Sequence, residues 1–439
     1  MKHPREGWKA ARLTRRELLR RGAGAAVSVP TLAAIMAACT NPTKTPGNGN
    51  STGTIPIPRP SSPVTQPLKG EPIASGLQPE KGATLKLFNW DQYIWKHVLD
   101  EFSSKYDCDY EITTFNNMDG AIGKIQTGQL AFDIFFPTID VLSKLVATDY
   151  LQPLNHDYIP NLEKFIWPEF QNPFYDQQWR YTVPYVVYTT GIGYRRDVIP
   201  DDTIYGMSNP YEILWDPKYS GKIGIYDDYR EAIGMALLKN GITDVNTGDS
   251  QQIDLAKNDL IKMIDAVNVR TSINGAYRFL PQGQYDLHQA WSGDMVAGWA
   301  YVNSYTQKSF EALGYWFPED RKGVVNNDLI TIPKNAPNPV LAHLFLNFIL
   351  DYQNAMDNFS WVGYQPPQTQ ADPDTLTKTE GLYSKQSNWA PPINYVAPWM
   401  QAAVVRKEDF QTGYLELELT PPVDNLWHAA WQQFQSGAA

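Results

Sequence analysis

GKIGIYDDYREAIGMALLKNG, Gly221 to Gly241, runs an apolar strand into an apolar helix through Asp-Asp-Tyr-Arg-Glu. Two readings of the junction stand side by side. Asp228 at the N-cap with Glu231 three residues on is close to a capping box, and both charges suit the positive end of the helix dipole. Alternatively the strand-to-helix mouth opens into a cleft, and the two acids hold a cation there. The helix itself closes on Lys239-Asn240-Gly241, a sound C-cap.

The same alternation extends outward in both directions. TLKLFNW (Thr84–Trp90) predicts a strand, and KHVLDEFSSKY (Lys96–Tyr106) a helix with Val98, Leu99, Phe102 and Tyr106 on one face. DYEITTF and FDIFFP predict further strands, the second apolar enough to be buried on both faces as in a parallel sheet. DVLSKLVATDY reads as a helix. WRYTVPYVVYTTGIGYRRDVI gives two extended runs, where the chain is expected to cross between lobes. NPYEILWDPKYSGKIGIYDD gives a short helix, a turn and a strand. QQIDLAKNDLIKMIDAV is amphipathic, HQAWSGDMVAGWAY and GVVNNDLITIP are strand-rich, and NPVLAHLFLNFIL and DNLWHAAWQQFQ are helical. Strands alternating with helices indicate the α/β class with open, mostly parallel sheets, whose ligands sit at the carboxyl ends of strands.

A chain of 439 residues is too long for one ordinary core, so two lobes are expected. Its net charge of -10 is unevenly spread, because the first 38 residues hold eight Lys/Arg against two Asp/Glu. The remainder carries 29 of the 37 basic residues and 45 of the 47 acidic ones, which argues against nucleic acid as a partner. TRRELLR (Thr14–Arg20) is followed by a short apolar run ending in IMAAC, small residues directly before Cys39. That combination resembles a twin-arginine export signal with a lipoprotein box, although Met36 stands where Leu is commoner. Residues 1–39 are therefore expected to be an export address with a lipid anchor on Cys39. Thr40–Gly82, rich in Pro, Gly, Ser, Thr and Asn, reads as a flexible tether. Cys108 is then left without a partner, which excludes a disulfide framework and a Cys-built metal site.

Motifs of catalysis are missing. The six His are scattered, no GxSxG elbow or Walker-type loop occurs, and GIGYRR is a lone G-x-G. No cofactor, metal or catalytic residue is expected. Instead, segments expected at strand ends set aromatic residues beside acids: NWDQY (Asn89–Tyr93), YDDYRE (Tyr226–Glu231), WSGD (Trp291–Asp294) and, with the acid alone, VVNND (Val324–Asp328). GYQPP (Gly363–Pro367) adds Tyr364 in a Pro-rich turn. A flexible organic polycation fits this set, its methylenes on ring faces and its ammonium groups on carboxylates. Each residue also has a plainer role. Trp90, Trp291 and Tyr364 suit core or rim packing, and Asp294 after Ser-Gly suits a turn. Asp328 before an apolar run is harder to excuse, since its burial is costly unless something pairs with it.

In order, LFNWDQYI, FDIFFPT, VPYVVYTTGIGYRRDVI, LWDPKYSGKIGIYDDYREAIGMALLKNG, AWSGD, NDLITIPKNAPNPVLAHLFLNFIL and GYQPP resemble the extracellular solute-binding proteins of polyamine ABC importers, the spermidine/putrescine type. The resemblance implies a two-lobed, type II periplasmic-binding-protein-like α/β fold with the ligand cleft between lobes. It assigns Ala83–Val186 with Lys322–Thr379 to one lobe and Val187–Arg321 with Glu380–Ala439 to the other. It places stacking aromatics at Trp90, Tyr93, Trp291 and Tyr364, ammonium-binding acids at Asp228, Glu231, Asp294 and Asp328, and a cleft hydroxyl at Thr138. By it, Asp228 and Glu231 serve as cap and ligand group together. It implies a monomer that delivers a polyamine to permease subunits without covalent chemistry. Three positions depart from the pattern: Gln92 where an acid is frequent, and Asp140 and Asn326 where aromatics wall the pocket. Another organic cation or small solute is the alternative ligand. A secreted carbohydrate-active protein would use the same rings for sugars, but the acids form no recognisable catalytic pair.

Overall fold

A computed structural model describes residues 56–127, 131–302, 311–377, 396 and 398–438. The export address with Cys39 and residues 40–55 lie outside these. Nine strands form one sheet: β1 (Thr84–Trp90), β2 (Asp109–Phe115), β3 (Ile134–Phe135), β4 (Thr182–Arg195), β5 (Ile223–Ile225), β6 (Arg270–Thr271), β7 (Leu287–Trp291), β8 (Leu313–Trp316) and β9 (Val324–Thr331). Their order is β2-β1-β3-β9-β4-β7-β5-β6, with β8 also on β4. The helices that matter below are α1 (Lys96–Tyr106), α2 (Tyr229–Lys239), α3 (Ser250–Val267), α4 (Ser292–Ala297), α5 (Pro339–Ile349), α6 (Tyr352–Val362) and α7 (Pro421–Ala438).

The sheet is mixed rather than mostly parallel. β1 pairs β2 and β3 in parallel, and β5 pairs β6 and β7 in parallel. Between these groups β4 is antiparallel to β7, β8 and β9, and β3 to β9. The expected two extended runs at the crossover are one 14-residue strand, β4. Its first half pairs β9, its second half pairs β7 and β8, and Thr190 pairs both Val324 and Trp291. A strand buried from Thr182 to Tyr194 needs no polar alternation, which is why its sequence shows none. Elsewhere, FDIFFP contributes only Ile134–Phe135 to the sheet, and HQAWSGDMVAGWAY leaves the strand at Trp291 to become α4.

Apolar side chains gather in three clusters. The first joins β1, α1 and the first half of β4 to α5, with Val98, Leu99 and Phe102 buried as the helical spacing predicts. In the second, the end of β4 and β5 meet α2, α3 and α7, centred on Ile233, Leu260 and Trp427. The third takes Met295 and Tyr315 together with Met356 and Phe359. α6 thus packs on two clusters, since its Val362 belongs to the first.

Residues 56–82, expected to be part of a flexible tether, lie against this body. Val64 donates its N–H to Phe174 O at 2.8 Å and accepts from Gln177 N at 3.0 Å. Gln66 is buried and donates to Tyr175 O at 2.9 Å, while Arg59 reaches Glu418 O at 2.9 Å. The composition is that of a linker, but a chain without a core of its own can still dock where each amide finds a partner.

The two glycines of GIGYRR have a packing reason. A Cβ on Gly191 would collide with the backbone carbonyl of Trp316, where β8 joins β4. Gly191→Ala is expected to lower stability by about 1–3 kcal/mol through forced strand separation. Urea unfolding with an unchanged midpoint would refute this close approach.

Candidate ligand-binding site

The junction quoted first is both a cap and part of a charged wall. Asp228 is the N-cap of α2, accepting from the N–H groups of Arg230 at 2.9 Å and Glu231 at 3.2 Å. The box is only half made, because the Glu231 side chain does not return to the cap. It turns inward, accepting from Thr190 Oγ1 at 3.1 Å, from Gln289 Nε2 at 3.3 Å and from the Trp291 indole. Thr190 is the residue shared by two ladders of β4, so the crossing strand itself positions this carboxylate.

Around it the aromatic residues form a connected wall. Trp291 stacks on Tyr226 with ring centres 3.9 Å apart and planes 19° off parallel. Trp90, at the end of β1, meets Trp291 edge-on at 6.4 Å and donates its indole N–H to Phe136 O at 3.2 Å. Tyr364 packs edge-on against Tyr93 at 4.9 Å and Tyr188 at 5.9 Å. Gly293 permits this, since a Cβ there would strike the Tyr364 ring.

Each remaining acid is seated by hydroxyls. Asp294 lies in the first turn of α4, not in a turn between strands, and accepts from Tyr226 at 2.7 Å and Tyr364 at 2.6 Å. Asp328, on β9, accepts from Tyr93 at 2.6 Å and forms a backbone bridge with Thr138. Asp328 Oδ1 and Thr138 Oγ1 are both buried and have no partner in the protein. Asp140 is half-buried in the short turn after Thr138, and its charge acts on Asp228, Asp328, Glu416 and Arg230. Asn326 is buried and holds Glu416 by a pair of bonds of 3.3 and 3.2 Å. Gln92 is exposed at the rim with φ 57°, where it accepts from Tyr301 at 3.3 Å.

The structure therefore brings Trp90, Tyr93, Thr138, Asp140, Asp228, Glu231, Trp291, Asp294, Asn326, Asp328 and Tyr364 into one connected set, leaving Gln92 outside. Sequence reasoning missed Tyr188, Tyr226 and Glu416. Tyr188 hides in the apolar run of β4, and Tyr226 reads as the end of a strand. Glu416 lies in LELEL (Leu415–Leu419), where alternation suggests leucines in and acids out. Instead both acids are buried, Glu416 and Glu418 at 7% and 3% exposed, while Leu415 and Leu417 are half-buried and only Leu419 is buried as well.

Burial dominates the electrostatics. It pushes Asp228 up to about 6, against the pull of the two cap N–H groups, and Asp294 and Asp328 up to about 7, against their tyrosine hydroxyls. Glu416 rises to about 8, and Glu231 is raised well above the usual range by burial and then by the charge of Glu416. The tyrosines are raised too, first by burial, so they stay neutral donors. A buried cation facing this group is Arg230, whose two terminal nitrogens donate to Leu417 O, Val245 O and Asn246 Oδ1 while its Nε is left without a protein partner. Among the described residues no group of three or more His, Cys, Asp or Glu is placed to hold a metal ion.

Carboxyls raised in the fold bind protons more tightly folded than unfolded. Their stabilising share is complete below the unfolded value near 3.8 and disappears as pH rises through about 7. The ligand-free protein is thus expected to lose melting temperature between about pH 4 and about pH 7, with Asp328→Asn flattening the slope. A variant with the wild-type slope would show that Asp328 does not titrate in this window.

Comparisons with known proteins follow the same lines. The chain is 26% identical over 316 residues to the spermidine/putrescine-binding periplasmic protein 1 of Haemophilus influenzae, covering 70% of this chain and 83% of that one. It is 28% identical over 289 residues to the spermidine/putrescine-binding periplasmic protein of Salmonella typhimurium, covering 66% and 78%. Its fold is shared with a putative spermidine/putrescine ABC transporter protein from Listeria monocytogenes, with a TM-score of 0.65, 24% identity and coverage of 80% and 98%. A substrate-binding protein from Streptococcus pneumoniae, of the spermidine/putrescine ABC transporter, gives 0.62 at 22% identity, covering 81% and 100%. The fold is that of the type II periplasmic binding proteins, as expected from the sequence. The profile of the bacterial extracellular solute-binding proteins matches residues 98–383, well over half of the chain, and the chain belongs to that family.

Proposed function

We propose that this solute-binding protein captures a polyamine outside the membrane and delivers it to the permease of an ABC importer. The observation that carries the reading is an excess of buried acid. Glu231, Asp294, Asp328 and Glu416 are buried and Asp228 half-buried among aromatic rings, and the Arg230 guanidinium facing them makes its hydrogen bonds elsewhere and acts on Glu416 only through space. Buried charge of one sign is costly until an opposite charge joins it. An aliphatic chain bearing several ammonium groups supplies that charge, and its methylenes suit the Trp90, Tyr93, Trp291 and Tyr364 surfaces. Cation–ring contacts add roughly 0.5–2 kcal/mol each. The relatives named for spermidine and putrescine point the same way.

Asp228, Glu231 and Asp328 receive ammonium groups in this reading, with Asp140 adding a further charge and Thr138 a neutral hydroxyl. Asp294 orients the rings of Tyr226 and Tyr364, whose hydroxyls donate to its two oxygens. Asn326 sets Glu416. The two lobes, residues 83–186 with 322–379 and 187–321 with 380–439, close on the ligand, because it touches groups from both and so favours the closed state. The protein acts as a monomer, is exported by a twin-arginine-type signal and is held at the outer face by a lipid on Cys39. Among the described residues no helix is long and apolar enough to cross a membrane.

Titration calorimetry with putrescine, spermidine, spermine and a set of oligosaccharides tests the reading. Heat with sugars and none with amines would reverse it. Asp140→Asn is expected to weaken polyamine binding about tenfold or more, the worth of one hydrogen bond to a charged group. Unchanged affinity would remove Asp140 from the site. At Asp228 the two roles separate, because Asn caps a helix about as well as Asp. Asp228→Asn should cost affinity alone, whereas Asp228→Ala should also cost about 1 kcal/mol of stability.

A further inference from the structure

Asp424, in the first turn of α7, is a buried carboxylate that meets side chains from distant parts of the chain. Lys144 donates to its Oδ2 at 2.8 Å and the Tyr229 hydroxyl to its Oδ1 at 2.7 Å. One turn further along α7, His428 lies against Tyr229 with ring centres 4.2 Å apart. Its Nδ1 is 3.8 Å from Oδ2 of Asp119, in the helix Met118–Gln126, and its Nε2 is 3.7 Å from Asp424 Oδ1. Unlike the carboxyls of the cleft, Asp424 stays low. Burial raises it, but the charge and hydrogen bond of Lys144, with the Tyr229 hydroxyl, hold it below the usual carboxylate range. Burial lowers Lys144, and the charges of Asp424, Glu418 and Asp140 more than make up for it.

The chain ties this cluster to the site without placing it among the ligand groups. Tyr229 follows Asp228, and Lys144 stands four residues after Asp140, in the short helix Leu142–Ala147 that continues from that turn. The pairs also cross the proposed boundary between lobes. Lys144 and Asp119 belong to residues 83–186, Tyr229 to 187–321, and Asp424 and His428 to 380–439. Each side supplies one acid and one basic group. Parting the lobes breaks both contacts and leaves Asp424 with Tyr229 and His428 of its own lobe. Bringing them together buries a carboxylate whose cost only Lys144 offsets.

We propose that Lys144 and Asp424 are positioning residues, a latch outside the cleft that forms as the lobes close and holds the loaded state shut, with Asp119 and His428 extending it at its exposed end. The inference rests on the two-lobed polyamine reading above and gives closure a contact that no ligand atom makes. Two consequences separate a latch from the plain charge of the site. It contributes one common factor to every ligand that closes the cleft, whatever the number of amines. Loss of Lys144 also weakens capture of a cation, although removing a positive charge near a cationic ligand strengthens binding where long-range charge alone acts.

Calorimetry on the full chain with putrescine, spermidine and spermine tests this. Lys144→Met should bind each amine that the wild type binds about tenfold more weakly, by a common factor, because closure then buries Asp424 without its counter-ion. Asp424→Asn keeps an acceptor for Tyr229 and should lose about tenfold on each as well. The double variant should lose little more than Lys144→Met alone, since the two residues act as one pair. Unchanged or tighter binding by the Lys144→Met protein, even with a lowered melting temperature, would overturn the latch and leave the polyamine reading standing. So would losses that grow from putrescine to spermine. If Lys144→Met fails to fold, Asp424→Asn compared across the three amines decides. Absence of binding of all three by the wild type would instead overturn the polyamine reading, and this inference with it.

Discussion

The structure depends on keeping several carboxylates inside an aromatic enclosure. Burial opposes their ionisation strongly enough to lift Asp294 and Asp328 to about 7 and Glu416 to about 8. The protein offsets part of this with neutral donors: phenols to Asp294 and Asp328, two backbone N–H groups to Asp228, an indole and a threonine to Glu231. Neutral donors orient a carboxylate without cancelling its charge. The balance left over is what an entering cation meets.

That enclosure is possible because β4 runs unbroken between the two parallel groups of strands. A 14-residue strand buried at every position but its last, Arg195, places Tyr185, Tyr188 and Thr190 at fixed intervals, and β9 beside it places Asn326 and Asp328. Strand geometry sets side-chain direction by alternation, so Asn327 points away to Tyr175 while its neighbours face the site. Trp90, Glu231, Trp291, Asn326 and Asp328 stand on strands or on α2, whereas Gln92 is exposed and accepts from Tyr301.

Helices and strands with a clear period were legible in the sequence. KHVLDEFSSKY folds over the very residues its spacing marks, and TLKLFNW and DYEITTF pair in unbroken register. The long β4 was not, because full burial erases the alternation that separates one strand from two. Nor was the mixed character of the sheet, since pairing direction leaves no trace in a short apolar run. At the site, acids beside aromatics in NWDQY, YDDYRE and WSGD gave most of the set. Glu416 escaped because its segment buries both acids and leaves Leu415 and Leu417 half-buried, against the ordinary rule. The docked stretch at Arg59–Lys69 escaped for a related reason. Its composition describes what it cannot build alone, not the donors and acceptors that Phe174, Tyr175 and Tyr181 offer it.

Buried acids also explain how a receptor can distinguish loaded from empty. Groups that touch across the site come from far apart in the chain: Trp90 with Trp291, Tyr93 with Asp328 and Tyr364, Thr190 with Glu231. Bringing them together without a ligand gathers like charges out of water, which requires proton uptake or costs free energy. With a polycation present the same approach forms ion pairs. The enclosed arrangement is then favoured by the ligand's differential affinity for it, and the population shifts only as far as that difference allows. A wall of neutral polar groups would bind a solute and yet close almost as readily without one. Under the proposed polyamine reading, the surplus of carboxylates would do two things with one set of atoms: select cations, and make closure conditional on their arrival.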